Sequence, residues 1–279
     1  KNALLSYQQF KGMAAAAAAT PEIKNVNYNI AYSYFKQKEY DQAGNYFQNQ
    51  IDNAKGDKVR LLDSYLRLAD CRFVTSKYTS ALEAYNKVIE MKGVDADYAY
   101  FQKAICYGFV SKNDKKIEEL NAFLKLYPKS DYRDDAFFEL GNTYVSENKK
   151  DLAIKTYDRL NTEFVKGSFT SKVILRQGLV YYNADKDELA LAKFKKVAAD
   201  FPKTPEALEA VSTARLIYVD NGKVDEYAAW VRTLDFVAVT DAELDNDTYE
   251  AAEKQYLQNN TKQSITGFSG YVAKFPRGI

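Results

Sequence analysis

The 279-residue sequence contains no histidine, one tryptophan, two cysteines and five prolines. Without histidine, both the commonest zinc ligand and the commonest general base near neutral pH are missing. Cys71 and Cys106 are too few for a disulfide framework, and a metal site would need ligands the chain does not supply. No run of about 18 apolar residues occurs, so no segment reads as a membrane-spanning helix. Charge of one sign is not in excess either: 39 Lys plus Arg stand against 38 Asp plus Glu. That balance argues against a broad basic nucleic-acid surface. The 12 glycines are scattered and form no phosphate-binding loop. The carboxylate pairs Glu118-Glu119 and Asp134-Asp135 read as a solvated face and a helix start, where acids complement the macrodipole. No catalytic residue, cofactor or metal ligand is expected.

What the chain does have is 23 Tyr and 16 Phe, and they recur with a period. Gly141 and Gly178, Tyr144 and Tyr181, Ala153 and Ala190, and Tyr157 and Phe194 are each 37 residues apart. Upstream, Ala31 and Ala69, Ala43 and Ala81, and Phe47 and Tyr85 are each 38 apart. Within a unit the apolar residues fall at helical spacing, with Phe137, Leu140, Gly141 and Tyr144 on one face of a first helix. Leu152, Ala153, Tyr157 and Leu160 line a second helix, and Ser146–Lys150 is a polar turn between them. Pro128, Pro202 and Pro276 stop the second helix of their units. Each unit is therefore a helical hairpin. The small residues Ala31, Ala69, Gly141, Gly178, Ala43, Ala81, Ala153 and Ala190 fall where two helices must approach to roughly 8–10 Å.

This pattern resembles the tetratricopeptide repeat, whose signature runs aromatic, Leu-Gly, Tyr, then Ala, Phe and Pro. Phe137, Leu140, Gly141, Tyr144, Ala153 and Tyr157 match all but the last element, and Gln177, Gly178, Tyr181, Ala190, Phe194 and Pro202 match likewise. The resemblance implies an all-α, right-handed superhelical solenoid over residues 1–279. Its units are placed at 24–61, 62–96, 97–133, 134–170, 171–207, 208–245 and 246–279. Residues 1–23 read as the second helix of a truncated unit, the alanine run Ala14–Ala19 included, so a fragment of a longer array is expected. The turn Tyr127-Pro128-Lys129-Ser130-Asp131-Tyr132 and its neighbours resemble tetratricopeptide proteins of bacterial envelopes. Those include the repeats of outer-membrane assembly lipoproteins, the Tol–Pal coordinator and long arrays of Bacteroidetes. A periplasmic or outer-membrane-associated location follows as an expectation from that resemblance. Cys71 and Cys106 occupy near-equivalent places in neighbouring first helices, farther apart than the roughly 4.4–6.8 Å a disulfide allows, so both are expected as buried free thiols.

In this family the first helices line a concave face that binds ligands. Counting from the motif, Tyr28, Tyr32, Phe35, Leu66, Phe73, Tyr98, Phe101, Phe109, Phe138, Leu175 and Tyr182 should point inward. An aromatic band of that kind fits a segment of another protein. The later units offer Glu209, Asp220, Asp247, Glu250 and Lys254 there, a more polar and acidic face. Receptors for acidic chaperone tails resemble this fold but clamp carboxylates with Lys, Arg and Asn; Lys36, Asn142 and Lys172 are too dispersed for that clamp. The expected function is a non-enzymatic protein-interaction scaffold. Two other readings stay open: a structural spacer in a longer array, and a glycan-binding or enzymatic helical solenoid.

Overall fold

The computed structural model describes residues 2–13, 21–53 and 57–278. The alanine run Ala14–Ala19 lies outside the described residues. Fifteen helices are present among the described residues, and no strand. Helix α1 (Asn2–Met13) comes first. Hairpins follow as α2 (Pro21–Lys36) with α3 (Tyr40–Asn53), α4 (Lys58–Val74) with α5 (Tyr78–Glu90), and α6 (Ala96–Phe109) with α7 (Asn113–Leu126). They continue as α8 (Arg133–Ser146) with α9 (Lys150–Glu163), and α10 (Thr170–Tyr182) with α11 (Asp187–Asp200). The last are α12 (Pro205–Asp220) with α13 (Val224–Val231), and α14 (Asp241–Leu257) with α15 (Thr261–Lys274).

The repeat is written into the backbone of the turns. One residue per hairpin turn adopts the left-handed conformation: Lys38, Ser76, Ser111, Asn148, Asp185, Gly222 and Asn259, with φ between 54° and 69°. The next residue's N–H then reaches back to the first helix, as in Glu39 to the Tyr34 carbonyl, Lys149 to Tyr144 and Lys223 to Tyr218. This 6→1 bond caps carbonyls that the helix end leaves unpaired. The identical closure in every hairpin sets the same short turn each time.

Small residues at the helix contacts are buried as the spacing required. Ala31, Ala43, Ala69, Ala81, Ala153 and Ala190 have no exposed surface. At Gly178 a methyl group would meet the Phe194 ring at 2.5 Å, so α10 and α11 could not approach as they do with any larger residue. Between the alanines sit fully buried rings, Phe47, Tyr85, Tyr157 and Phe194 among them. Each such side chain contributes about 1.5–3 kcal/mol of burial free energy.

The chain divides into two compact units, Lys1–Lys149 and Lys150–Ile279, with the boundary inside the fourth hairpin. In the first unit the core is built from Ala31, Ala43, Phe47, Ala69, Tyr85, Val88 and Ala99, with Cys71 and Cys106 inside it. Both cysteines are free and buried, and burial pushes each thiol up to about 12. In the second unit Ile174, Ala190, Phe194, Val197, Ala210 and Ile217 form one cluster. The divergent sixth hairpin has a short α13, and Leu234, Phe236, Val237 and Val239 of the following segment pack onto Tyr218, Tyr227 and Val231. No helix among the described residues is long and apolar enough to cross a membrane.

Candidate functional site

The site grows from the first-helix residues of the first unit. On α4, Asp63, Arg67 and Asp70 are spaced by four and three residues, which puts them on one face. Tyr28 and Tyr32, a turn apart on α2, both donate their hydroxyls to Asp63 Oδ2, at 2.8 and 2.6 Å. Arg67 donates to the Tyr32 hydroxyl at 3.2 Å and to Asp70 Oδ2 at 2.8 Å. Asp70 Oδ1 in turn accepts the hydroxyls of Tyr85 on α5 and Tyr98 on α6, at 2.9 and 3.1 Å. One continuous polar network thus ties α2, α4, α5 and α6 together.

Electrostatics follow from this burial. Asp70 is held above the usual carboxylate range because burial outweighs the favourable contacts from Tyr85, Arg67 and Tyr98. Burial and then the neighbouring carboxylates push the Tyr28, Tyr85 and Tyr98 hydroxyls well above the usual phenol range. All three are therefore hydrogen-bond donors at any physiological pH. The rings continue the network: Tyr98 lies 5.3 Å from Tyr132, and Tyr132 stacks on Phe101 at 5.8 Å with an interplanar angle of 11°.

Two openings border these residues. A groove of about 610 Å³ between α1 and α2 is lined by Leu4, Tyr7, Tyr28, Tyr32 and Lys36. A second, of about 370 Å³, runs beside α6 and α8 and is lined by Ile105, Phe109, Lys116, Glu139 and Asn142 among others. Phe109 is 56% exposed, with its ring stacked on Tyr78 at 4.5 Å and set edge-on to Phe73 at 5.5 Å. Lys116 and Glu139 form an ion pair at 2.6 Å in the groove wall.

The structure sorts the eleven expected contact residues. Tyr28, Tyr32, Phe35, Phe73, Tyr98 and Phe138 in the first unit, and Tyr182 in the second, are half-buried, and Phe109 is exposed. Leu66, Phe101 and Leu175 are 1%, 7% and 4% exposed and offer a partner little or no surface. Leu66 sits in the first unit's core, Phe101 is covered by Phe123 and Tyr132, and Leu175 packs with Ala190 and Phe194. Nine of the eleven belong to the first unit and Leu175 and Tyr182 to the second. The acidic character expected for the later hairpins is largely neutralised: Asp247 is fully buried against Arg215, and Lys254 lies between Asp220 and Glu250. Sequence reasoning missed Asp63, Arg67, Asp70 and Tyr132. The available signal was the spacing of the three charged residues along one face of a first helix, on which the motif count named only Leu66 and Phe73.

Paired helices closed by identical turns, with aromatic and polar side chains gathered on one helix set, define a helical-hairpin repeat scaffold. Two tetratricopeptide repeat models match the sequence, one over residues 22–92 and one over 135–166 and 172–204. The chain is a tetratricopeptide repeat protein, and each of its units is an α-solenoid of such hairpins. No curated protein gives a significant sequence match. Among solved structures it is similar to a tetratricopeptide repeat protein from Parabacteroides merdae, at 12% identity and a TM-score of 0.58, covering 90% of this chain and 93% of that one. It is also similar to YrrB, a tetratricopeptide protein with an unusual peptide-binding site, at 14% identity and a TM-score of 0.53, covering 75% and 98%. A third likeness is to BtubC from P. vanneervenii, at 16% identity and a TM-score of 0.53, covering 73% and 93%. These likenesses are of fold. Tetratricopeptide repeats serve in general as non-enzymatic scaffolds for protein interaction.

Proposed function

We propose that the chain binds a segment of another protein along the first-helix face of its first unit, and that it does so without catalysis. The observation that carries the reading is the groove beside α6 and α8, with the exposed Phe109 ring at its edge. A stacked aromatic on a rigid helix offers contact area at small entropic cost. The Tyr28–Asp63–Arg67–Asp70–Tyr98 network holds the neighbouring first helices in register, so the surface is pre-organised. YrrB shares the fold and has a peptide-binding site, which supports a peptide as the ligand class.

The test is selection of displayed random peptides on the whole chain, followed by binding of the recovered peptides to variants. Phe109→Ala removes exposed surface and leaves the core intact, so it is the informative change; Phe101→Ala would open the core. Recovered peptides are expected to lose about tenfold or more in affinity with Phe109→Ala. Peptides that bind this variant as tightly as the parent would remove the assignment of the face.

A further inference from the structure

The first helices of the first unit carry Asp63, Asp70, Asp97, Asp134, Asp135 and Glu139, with cations that include Lys36, Lys58, Arg60, Arg67, Arg72, Lys103 and Arg133. Several of these cations are engaged: Arg60 by Asp57, Arg67 by Asp63 and Asp70, Lys103 by Glu119 and Arg133 by the Leu124 carbonyl, while Lys116 of α7 holds Glu139. Among the described residues, no Lys or Arg lies within ion-pair distance of Asp97, Asp134 or Asp135. Asp97 accepts the Tyr98 N–H and the Ser130 hydroxyl, and Asp134 accepts the Asp135 N–H. The Asp135 carboxylate accepts no hydrogen bond among the described residues, and burial, Asp134 and Glu139 together raise its affinity for a proton.

The aromatic surface lies with these acids. The half-buried Tyr132 ring rests on Phe101 and Tyr98; Asp97, Asp95, Asp131 and Asp135 are near enough to raise the pKa of its hydroxyl, and Arg133, next in the chain, donates to the Leu124 carbonyl. At the far end of α6 the groove opens beside Phe109. A guanidinium or ammonium satisfies both features of the first place, facing the ring and pairing with a carboxylate. An acidic segment would meet like charge there, and an uncharged one would desolvate carboxylates without compensation.

Resting on the scaffold reading above, we infer that the segment bound on this face is basic. An arginine or lysine lies against Tyr132 beside Asp97 and Asp135, and an apolar side chain of the same segment enters the groove at Phe109. The spacing between the two is set by α6. From Tyr98 to Phe109 is eleven residues of helix, about 16 Å. An extended chain covers that distance in about five residues. The partner motif is thus a cation followed or preceded, about five positions away, by an apolar residue.

The probe is the fluorescein-labelled octapeptide Arg-Arg-Ser-Ala-Ser-Ala-Leu-Ala, with a counterpart in which both arginines are glutamates. Binding to the whole chain is read by fluorescence anisotropy. The basic peptide is expected to bind, to weaken about tenfold with Asp97→Asn plus Asp135→Asn, and to weaken with Phe109→Ala. Asp52→Asn plus Glu83→Gln, on second helices away from the face, should leave it unchanged. These amide substitutions keep side-chain shape, and thermal melts by circular dichroism check the fold of each variant. No binding of the basic peptide, or equal weakening by the control pair, overturns the inference. Phe109-dependent binding of the acidic peptide overturns it as well, yet leaves the scaffold reading standing. That reading fails only if the displayed-peptide selection also recovers nothing sensitive to Phe109.

Discussion

Asp70 is 9% exposed and takes hydrogen bonds from two tyrosines and an arginine on three different helices. Replacing it with alanine strands the buried Tyr85 hydroxyl and the Arg67 cation, and should cost about 2–4 kcal/mol. The pH dependence has a definite sign. Burial raises the Asp70 pKa in the fold above its ordinary 3.8, so the folded state prefers the protonated form. Its contribution is therefore largest at low pH and is lost as the pH rises through the folded-state pKa. The gap in urea midpoint between the parent chain and Asp70→Asn should widen as pH falls from about 7 to about 4. A gap that narrows instead would show that the ionised carboxylate is the favoured form. Such a group was hard to see in the sequence. Asp63, Arg67 and Asp70 look like a solvated charged face until the tyrosines of the adjacent helices are placed around them.

At the scale of elements, the hairpin turns and helix contacts separate two roles of glycine. Gly222 occupies the left-handed turn position with φ of 69°, and a methyl group there would touch nothing within 4 Å. Gly222→Ala should cost about 1 kcal/mol, all of it from backbone conformation. The six other hairpins fill this position with Lys, Ser, Asn or Asp, so Gly222→Asn should cost less than Gly222→Ala. Gly178 has ordinary helical geometry but no room, and Gly178→Ala should cost more than Gly222→Ala because Phe194 must move. Urea denaturation of the three variants tests the order; equal losses at Gly178 and Gly222 would contradict it. The turns, the helix pairs and the small contact residues were all legible, because each is fixed by neighbours within about one period.

For the molecule as a whole, a repeat array is stabilised by nearest-neighbour contacts, so damage should stay local. Arg215 on α12 grips the fully buried Asp247 on α14 through both carboxylate oxygens. Asp247→Ala should cost about 2–3 kcal/mol, below the usual figure for a broken buried pair because the Arg215 side chain keeps 33% of its surface. Hydrogen exchange should then speed up across α12–α15 and stay as in the parent over α2–α7. Uniform loss of protection over both units would mean that the chain unfolds as one cooperative block.

The sequence by itself determined the helical hairpins and the alanine and glycine contacts between them. Those features depend on local spacing and propensity, and they repeat, so each unit corroborates the next. It also determined which helices carry the aromatics. Only the tertiary structure decided what each aromatic does. Leu66, Phe101, Leu175 and Phe109 are all expected to point inward from the motif count, yet three are covered and one is open, because coverage depends on side chains from other hairpins. Likewise Tyr28, Tyr32 and Tyr98 read as an apolar band, while packing α4 between α2 and α6 turned them into donors to Asp63 and Asp70. Burial and partner choice come from contacts about 30 residues apart in the chain, and no local pattern encodes them.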